Sequence, residues 1–192
     1  MRCTVAGWLA LALFTPALSS AQARSDSTPP KKIAIRAARL IDGRGGPPVA
    51  NPVVLVEGDR ITAVGSDLRV PQGVQVIDLR GMTLLPGFID AHTHITGQPT
   101  NYYEDHFRRS PIDAAVLSHL YAKRTLDAGF TTVRDVGAPD FVDIALRNAI
   151  DRGDLEGPRI VAATLAVGAT GGHADLNGFS PYLQFNNFSG VA

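Results

Sequence analysis

Cysteine is almost absent from this sequence of 192 residues: the one thiol is Cys3. It lies between Arg2 and an apolar run over residues 5–18, which leads into Ala21-Gln22-Ala23. A basic residue, a short apolar stretch and an Ala-x-Ala pattern make a secretory signal with a small-residue cleavage site, expected over residues 1–23. Cys3 precedes the apolar run, where it is badly placed for lipid anchoring, and would leave with the signal. The remaining chain then has no thiol. That excludes disulfides and thiolate metal centres and leaves histidine, carboxylate and lysine chemistry.

Charge of one sign is also missing. With 18 basic and 18 acidic residues, the chain carries no electrostatic footprint for nucleic acid or a membrane surface. The apolar run at the N-terminus falls short of the roughly 20 residues that a membrane span needs. The expectation is an exported protein, periplasmic or secreted, with no membrane attachment after the signal is removed. A glycine-rich stretch, Thr170-Gly171-Gly172-His173, has neither the lysine nor the Ser/Thr at the spacing of a phosphate-binding P-loop, so it is not read as one.

What the sequence does have is Leu84-Leu85-Pro86-Gly87-Phe88-Ile89-Asp90-Ala91-His92-Thr93-His94. Residues 87–94 read as one strand leaving a Pro-Gly turn. In a regular strand, alternate side chains share a face, which would group Asp90, His92 and His94 and send Ile89 and Ala91 the other way into packing. Two imidazoles at this spacing can converge on one ion with metal–nitrogen bonds of about 2.0–2.1 Å. Polar histidines at a strand end, satisfied by their neighbours, are the structural alternative.

This string, preceded by Val76-Ile77-Asp78-Leu79-Arg80-Gly81, closely resembles the first barrel strand of the amidohydrolase superfamily, and the likeness extends over about residues 32–172. The resemblance implies a (β/α)8 barrel in which His92 and His94 bind a catalytic divalent metal, zinc above others, as one or two ions. In that family a carboxylated lysine, two later histidines and a late aspartate acting as general base complete the site. None of these is identified within the 192 residues, so no catalytic base is assigned and it is expected beyond Ala192. Asp90 suits a supporting role, accepting the far N–H of a metal-bound imidazole, although a hydrogen bond between strands serves equally well. The Gly-Gly-His loop resembles that of exported family members acting on dipeptide-like amides and N-acyl amino acids, and makes His173 a candidate contact to a substrate carbonyl or carboxylate.

The rest of the chain fits an α/β protein: an incomplete TIM-like (β/α)8 barrel of three strands, preceded by part of a small β-sandwich. Residues 24–31 form a polar linker. Short β-type runs at residues 33–40, 53–57, 60–64 and 74–79 fill a small domain over residues 32–84, with a tight turn at Gly58-Asp59. Residues 85–192 form the barrel part. Ser110-Pro111-Ile112-Asp113 starts a helix, with an apolar stripe at Ala114, Leu117, Leu120, Tyr121 and Leu126 and a stop at Gly129. His119 and Lys123 fall off that stripe. Phe130-Thr131-Thr132-Val133-Arg134-Asp135-Val136-Gly137 is a second strand, again like the family's, in which Asp135 is read as an ion-pair partner or cap. A helix over residues 140–152 and a strand over residues 159–167 follow, an alternation that implies parallel βαβ units. In the first βα-loop Tyr102 and Tyr103 are read as surface packing before substrate gating, and His106 is not taken as a ligand. Asn187-Phe188-Ser189 is formally a glycosylation sequon.

A full barrel takes about 250 residues, so the sequence is expected to be the N-terminal part of a longer protein and inactive by itself. The expected activity of that protein is metal-dependent hydrolysis of amide or peptide-like C–N bonds in a small molecule, dipeptides or N-acyl amino acids first. Cyclic amides of the imidazolone or hydantoin type are the alternative substrate. A truncated, non-catalytic binding fragment is the alternative of another class. Association into a homo-oligomer is left open.

Overall fold

The computed structural model describes residues 30–98, 100, 105, 108–172, 180 and 182. The expected signal peptide, Tyr102, Tyr103, His106 and the Asn187 sequon lie outside them.

The first sheet is built around β1. Strand β1 (Lys32–Leu40) is flanked on one side by β2 (Val49–Ala50) and β3 (Val53–Glu57), both antiparallel, and on the other by β5 (Gln75–Leu84), which runs parallel to it. β4 (Arg60–Gly65) closes a hairpin on β3. The Gly58-Asp59 turn joins them, with Glu57 opposite Arg60 and Gly58 at φ +61°, a value that costs a residue without Cβ nothing. Along β1 the buried residues are Ala34, Ala37 and Leu40. The register against β5 shifts beyond Ala37: two steps of β1, Ala37 to Arg39, match four of β5, Leu79 to Thr83, so β5 carries a bulge there.

The second sheet is parallel throughout, in the order β6 (Phe88–Thr93), β7 (Phe130–Asp135), β8 (Arg159–Ala162). Helices α1 (Pro111–Asp127) and α2 (Val142–Asp151) make the two crossovers and pack on β7 and β8. This is the alternation of the first units of a TIM-like barrel. Ile95, Ala122, Val133, Leu146 and Ile160 form its core. α1 begins as its sequence requires: the Ser110 hydroxyl accepts from the Asp113 N–H, the Asp113 carboxylate accepts from the Ser110 N–H, and Pro111 occupies the first turn. The helix ends before Gly129 at φ +97°.

Three expectations need correction. The face α1 buries is centred on Ser118 and Ala122, while Leu120 is exposed; small side chains let the helix sit close, and an added Cβ on Gly157 would lie 3.1 Å from the Ala122 Cβ and 2.5 Å from Ile150 Cδ1. The second helix starts later than its pattern suggests, because Asp140 and Phe141 adopt left-handed φ of 46° and 60° and a 3-10 turn, Pro139–Phe141, precedes it. The third strand stops at Ala162, and Thr164 at φ 65° turns the chain away.

The entry to β6 is equally close. A Cβ on Gly87 would fall 2.7 Å from the Thr131 Cβ and 2.1 Å from its Oγ1. Gly87→Ala therefore forces β6 and β7 apart at their start, and a loss of about 1–3 kcal/mol is expected, as for other overpacked sites. Urea unfolding monitored by circular dichroism measures it; an unchanged midpoint would contradict the packing described.

Candidate metal centre

β6 does not keep a regular register. Asp90 pairs with Val133 and Thr93 with Asp135, so three steps of β6 match two of β7. Val133 and Asp135 share one face, both fully buried toward the helices, and Asp90 and Thr93 take that side with them. His92 and His94, each adjacent to Thr93, fall on the opposite, open face of the sheet, where both are exposed. The expectation that Asp90 shares their face is thus corrected: the bulge separates it from them. Ile89 is not packed inward either; it is 71% exposed, because a second register shift follows Phe88. The Asp90 carboxylate accepts from the backbone N–H of His92 at 3.0 Å, so the bond it makes is to the main chain of the histidine strand.

The two imidazole centroids lie 5.8 Å apart, with the rings at 76°. Rings sharing one ion through bonds of about 2.0–2.1 Å have centroids about 5–6 Å apart, and the pair fits that requirement. His94 Nδ1 is 2.9 Å from the carbonyl oxygen of Gly137. A carbonyl only accepts, so Nδ1 carries the proton and Nε2 keeps its lone pair for a metal. The donor chemistry therefore suits a divalent ion such as zinc. Among the described residues no group of three or more His, Cys, Asp or Glu side chains could hold a metal. His173 lies outside the described residues.

Two buried carboxylates support this end of the sheet, and sequence reasoning gave them too little weight. Asp135, fully buried, accepts from Ile95 N–H and Gly137 N–H, each at 3.0 Å. This is the cap expected of it, made to main-chain donors. Asp143, equally buried at the start of α2, accepts from Ile144 N–H and Thr164 N–H, each at 2.8 Å. Ala138 N–H donates to the Thr164 carbonyl, joining the loop after β7 to that after β8. The signal for both was an Asp at the end of a buried strand or the start of a helix, flanked by short loops. Lys123 is on the outer surface, paired with Asp127 and, at 3.7 Å, Glu156.

Comparison with known proteins agrees with this geometry. The family model "Amidohydrolase family" matches residues 83–184. Over 63 residues the chain is 52% identical to N-acyl-D-aspartate deacylase of Alcaligenes xylosoxydans xylosoxydans, covering 33% of this chain and 12% of that protein. With ochratoxinase of Aspergillus niger the identity is 27% over 157 residues, 78% of this chain and 32% of the relative. A crystal structure of a Xaa-Pro dipeptidase with bound methionine in the active site superposes with a TM-score of 0.72 at 34% identity, over 84% of this chain and 41% of the other. The chain thus spans less than half the length of each of these proteins.

Burial, the largest influence, raises the Asp135 carboxyl above its ordinary 3.8; the N–H groups of Gly137 and Ile95 oppose the rise, Asp143 adds to it, and His94 opposes it. The folded state then holds that proton more tightly than the unfolded chain, so stability falls as pH climbs from 3.8 through the raised folded value and levels off above it. Over this range the wild-type urea midpoint should fall relative to that of Asp135→Asn, since carboxylates held low, such as Asp113 beside Ser110, act alike in both; parallel profiles would refute it.

Proposed function

Because the chain belongs to the amidohydrolase family, we propose that it supplies the first metal-binding strand of an exported hydrolase acting on C–N bonds, with dipeptides or N-acyl amino acids as substrates. The observation that carries this reading is the His92/His94 pair, exposed on the open face at the end of the first barrel strand, with His94 Nδ1 occupied by Gly137. Similarity to a Xaa-Pro dipeptidase and to an N-acyl-D-aspartate deacylase, by their names, supports the substrate class.

His92 and His94 would hold the ion through their free ring nitrogens. When bound, a divalent metal such as zinc supplies a water acidified to a pKa of about 7 and polarises the scissile carbonyl. The chain's own part is to aim both imidazoles from one strand end. Asp90 fixes the main chain that enters His92 through the His92 amide. His173, on the segment that follows β8, would contact a substrate carbonyl or carboxylate. The general base is not assigned to any described residue.

Replacing both His92 and His94 with alanine in the complete protein should reduce bound zinc, measured by elemental analysis, from stoichiometric to background and abolish dipeptide turnover. Full zinc content together with turnover in that variant would overturn the reading.

A further inference from the structure

We infer that Asp135 is a positioning residue for His94: by holding the amides of Ile95 and Gly137 it places the Gly137 carbonyl against Nδ1 and leaves Nε2 as the free donor. The geometry is a closed circuit. Ile95 directly follows His94, so its N–H bond to the carboxylate at 3.0 Å fixes the backbone from which the ring projects. Gly137, whose own N–H is held by the other carboxylate oxygen at 3.0 Å, offers its carbonyl to that ring at 2.9 Å. One buried side chain thereby fixes both the imidazole and the acceptor that selects its tautomer.

Glycine at 137 is part of the arrangement. A Cβ there would lie 3.4 Å from His94 Cε1 and 3.0 Å from the Ala166 Cβ, so the ring and the loop after β8 both close on a position without a side chain. Exposed as it is, His94 has no other hydrogen-bond partner described for its ring, and without the carbonyl both neutral tautomers are open to it. An outer partner that fixes the tautomer of a ligating histidine commonly contributes 10–100-fold to metal affinity.

The effect on metal rests on the ligand reading above; the effect on the tautomer does not. Long-range proton–nitrogen correlation spectra of the histidine rings, recorded well above the ordinary imidazole pKa of about 6.5, read the tautomer without metal. In the wild type His94 should show a protonated Nδ1 and a bare Nε2. Asp135→Asn offers one acceptor oxygen where two are needed; it should mix the tautomers and weaken zinc binding, measured by calorimetry, roughly 10–100-fold. Asp113→Asn is the control: it changes a carboxylate that also accepts from a main-chain N–H, at the start of α1, where its partner Ser110 does not touch His94, and should leave both readouts as in the wild type. If Asp135→Asn does not fold, Gly137→Ala keeps the carboxylate and should mix the tautomers by moving the carbonyl and ring apart. An unchanged tautomer in whichever variant folds, or an equal change in Asp113→Asn, overturns the inference. A complete wild-type protein that binds no zinc, yet whose His94 tautomer depends on Asp135, supports the positioning role and sinks the ligand reading.

Discussion

A carboxylate taken out of water needs donors around it, and the end of the barrel sheet that bears the histidines is organised by that need. Leaving such a charge without partners costs several kcal/mol. Asp135 meets the requirement with amides from the loops after β6 and β7, and Asp143 with one from the start of α2 and one from the chain after β8. Since each carboxylate has two oxygens, each becomes a clamp between segments that are distant in sequence. Loops that would otherwise be set only by their own turns are held to the strands beneath them.

The clamps explain how a site can be both exposed and ordered. His92 and His94 face the open side of the sheet, where little packing restrains a ring. Their backbone is restrained from behind instead, through the Asp90 carboxylate on one side of Thr93 and the Asp135 carboxylate on the other. Precision at the ring nitrogens is inherited from buried main-chain contacts. That division, with restraint beneath and reactive atoms above, is how catalytic groups are mounted at the C-terminal end of parallel strands.

Much of this was legible in the sequence, because the signals were local. The Ser110-Pro111 cap, the Gly129 stop, the Gly58-Asp59 turn and the strand-helix alternation each depend on neighbours within a few residues, and the structure has them. The His92/His94 pair was legible as spacing plus resemblance. What escaped depended on register between strands. Alternation within β6 put Asp90 beside the histidines and Ile89 in the core, and neither placement survived the bulge, which exists only relative to β7. The helical stripe of α1 was misjudged for a similar reason: size drew attention to Leu120, while the approach of neighbouring chain selected Ser118 and Ala122. The circuit from Asp135 to His94 runs through Ile95 and Asp135, 40 apart in sequence, and no periodicity reports it.

The bulge in β6 also sets a distance. A strand advances about 3.3 Å per residue, and β6 spends three residues, Asp90 to Thr93, on the length that β7 covers from Val133 to Asp135. The step lost earlier, where Phe88 to Ile89 matches Phe130 to Thr132, is regained here, so five steps lead from Phe88 to Thr93 and five from Phe130 to Asp135. The bulge works as a spacer that brings the histidine strand level with its neighbour again where the two loops begin. A His-x-His spacing is therefore half of a measurement, whose other half is how many residues the adjacent strand uses to arrive at the same level.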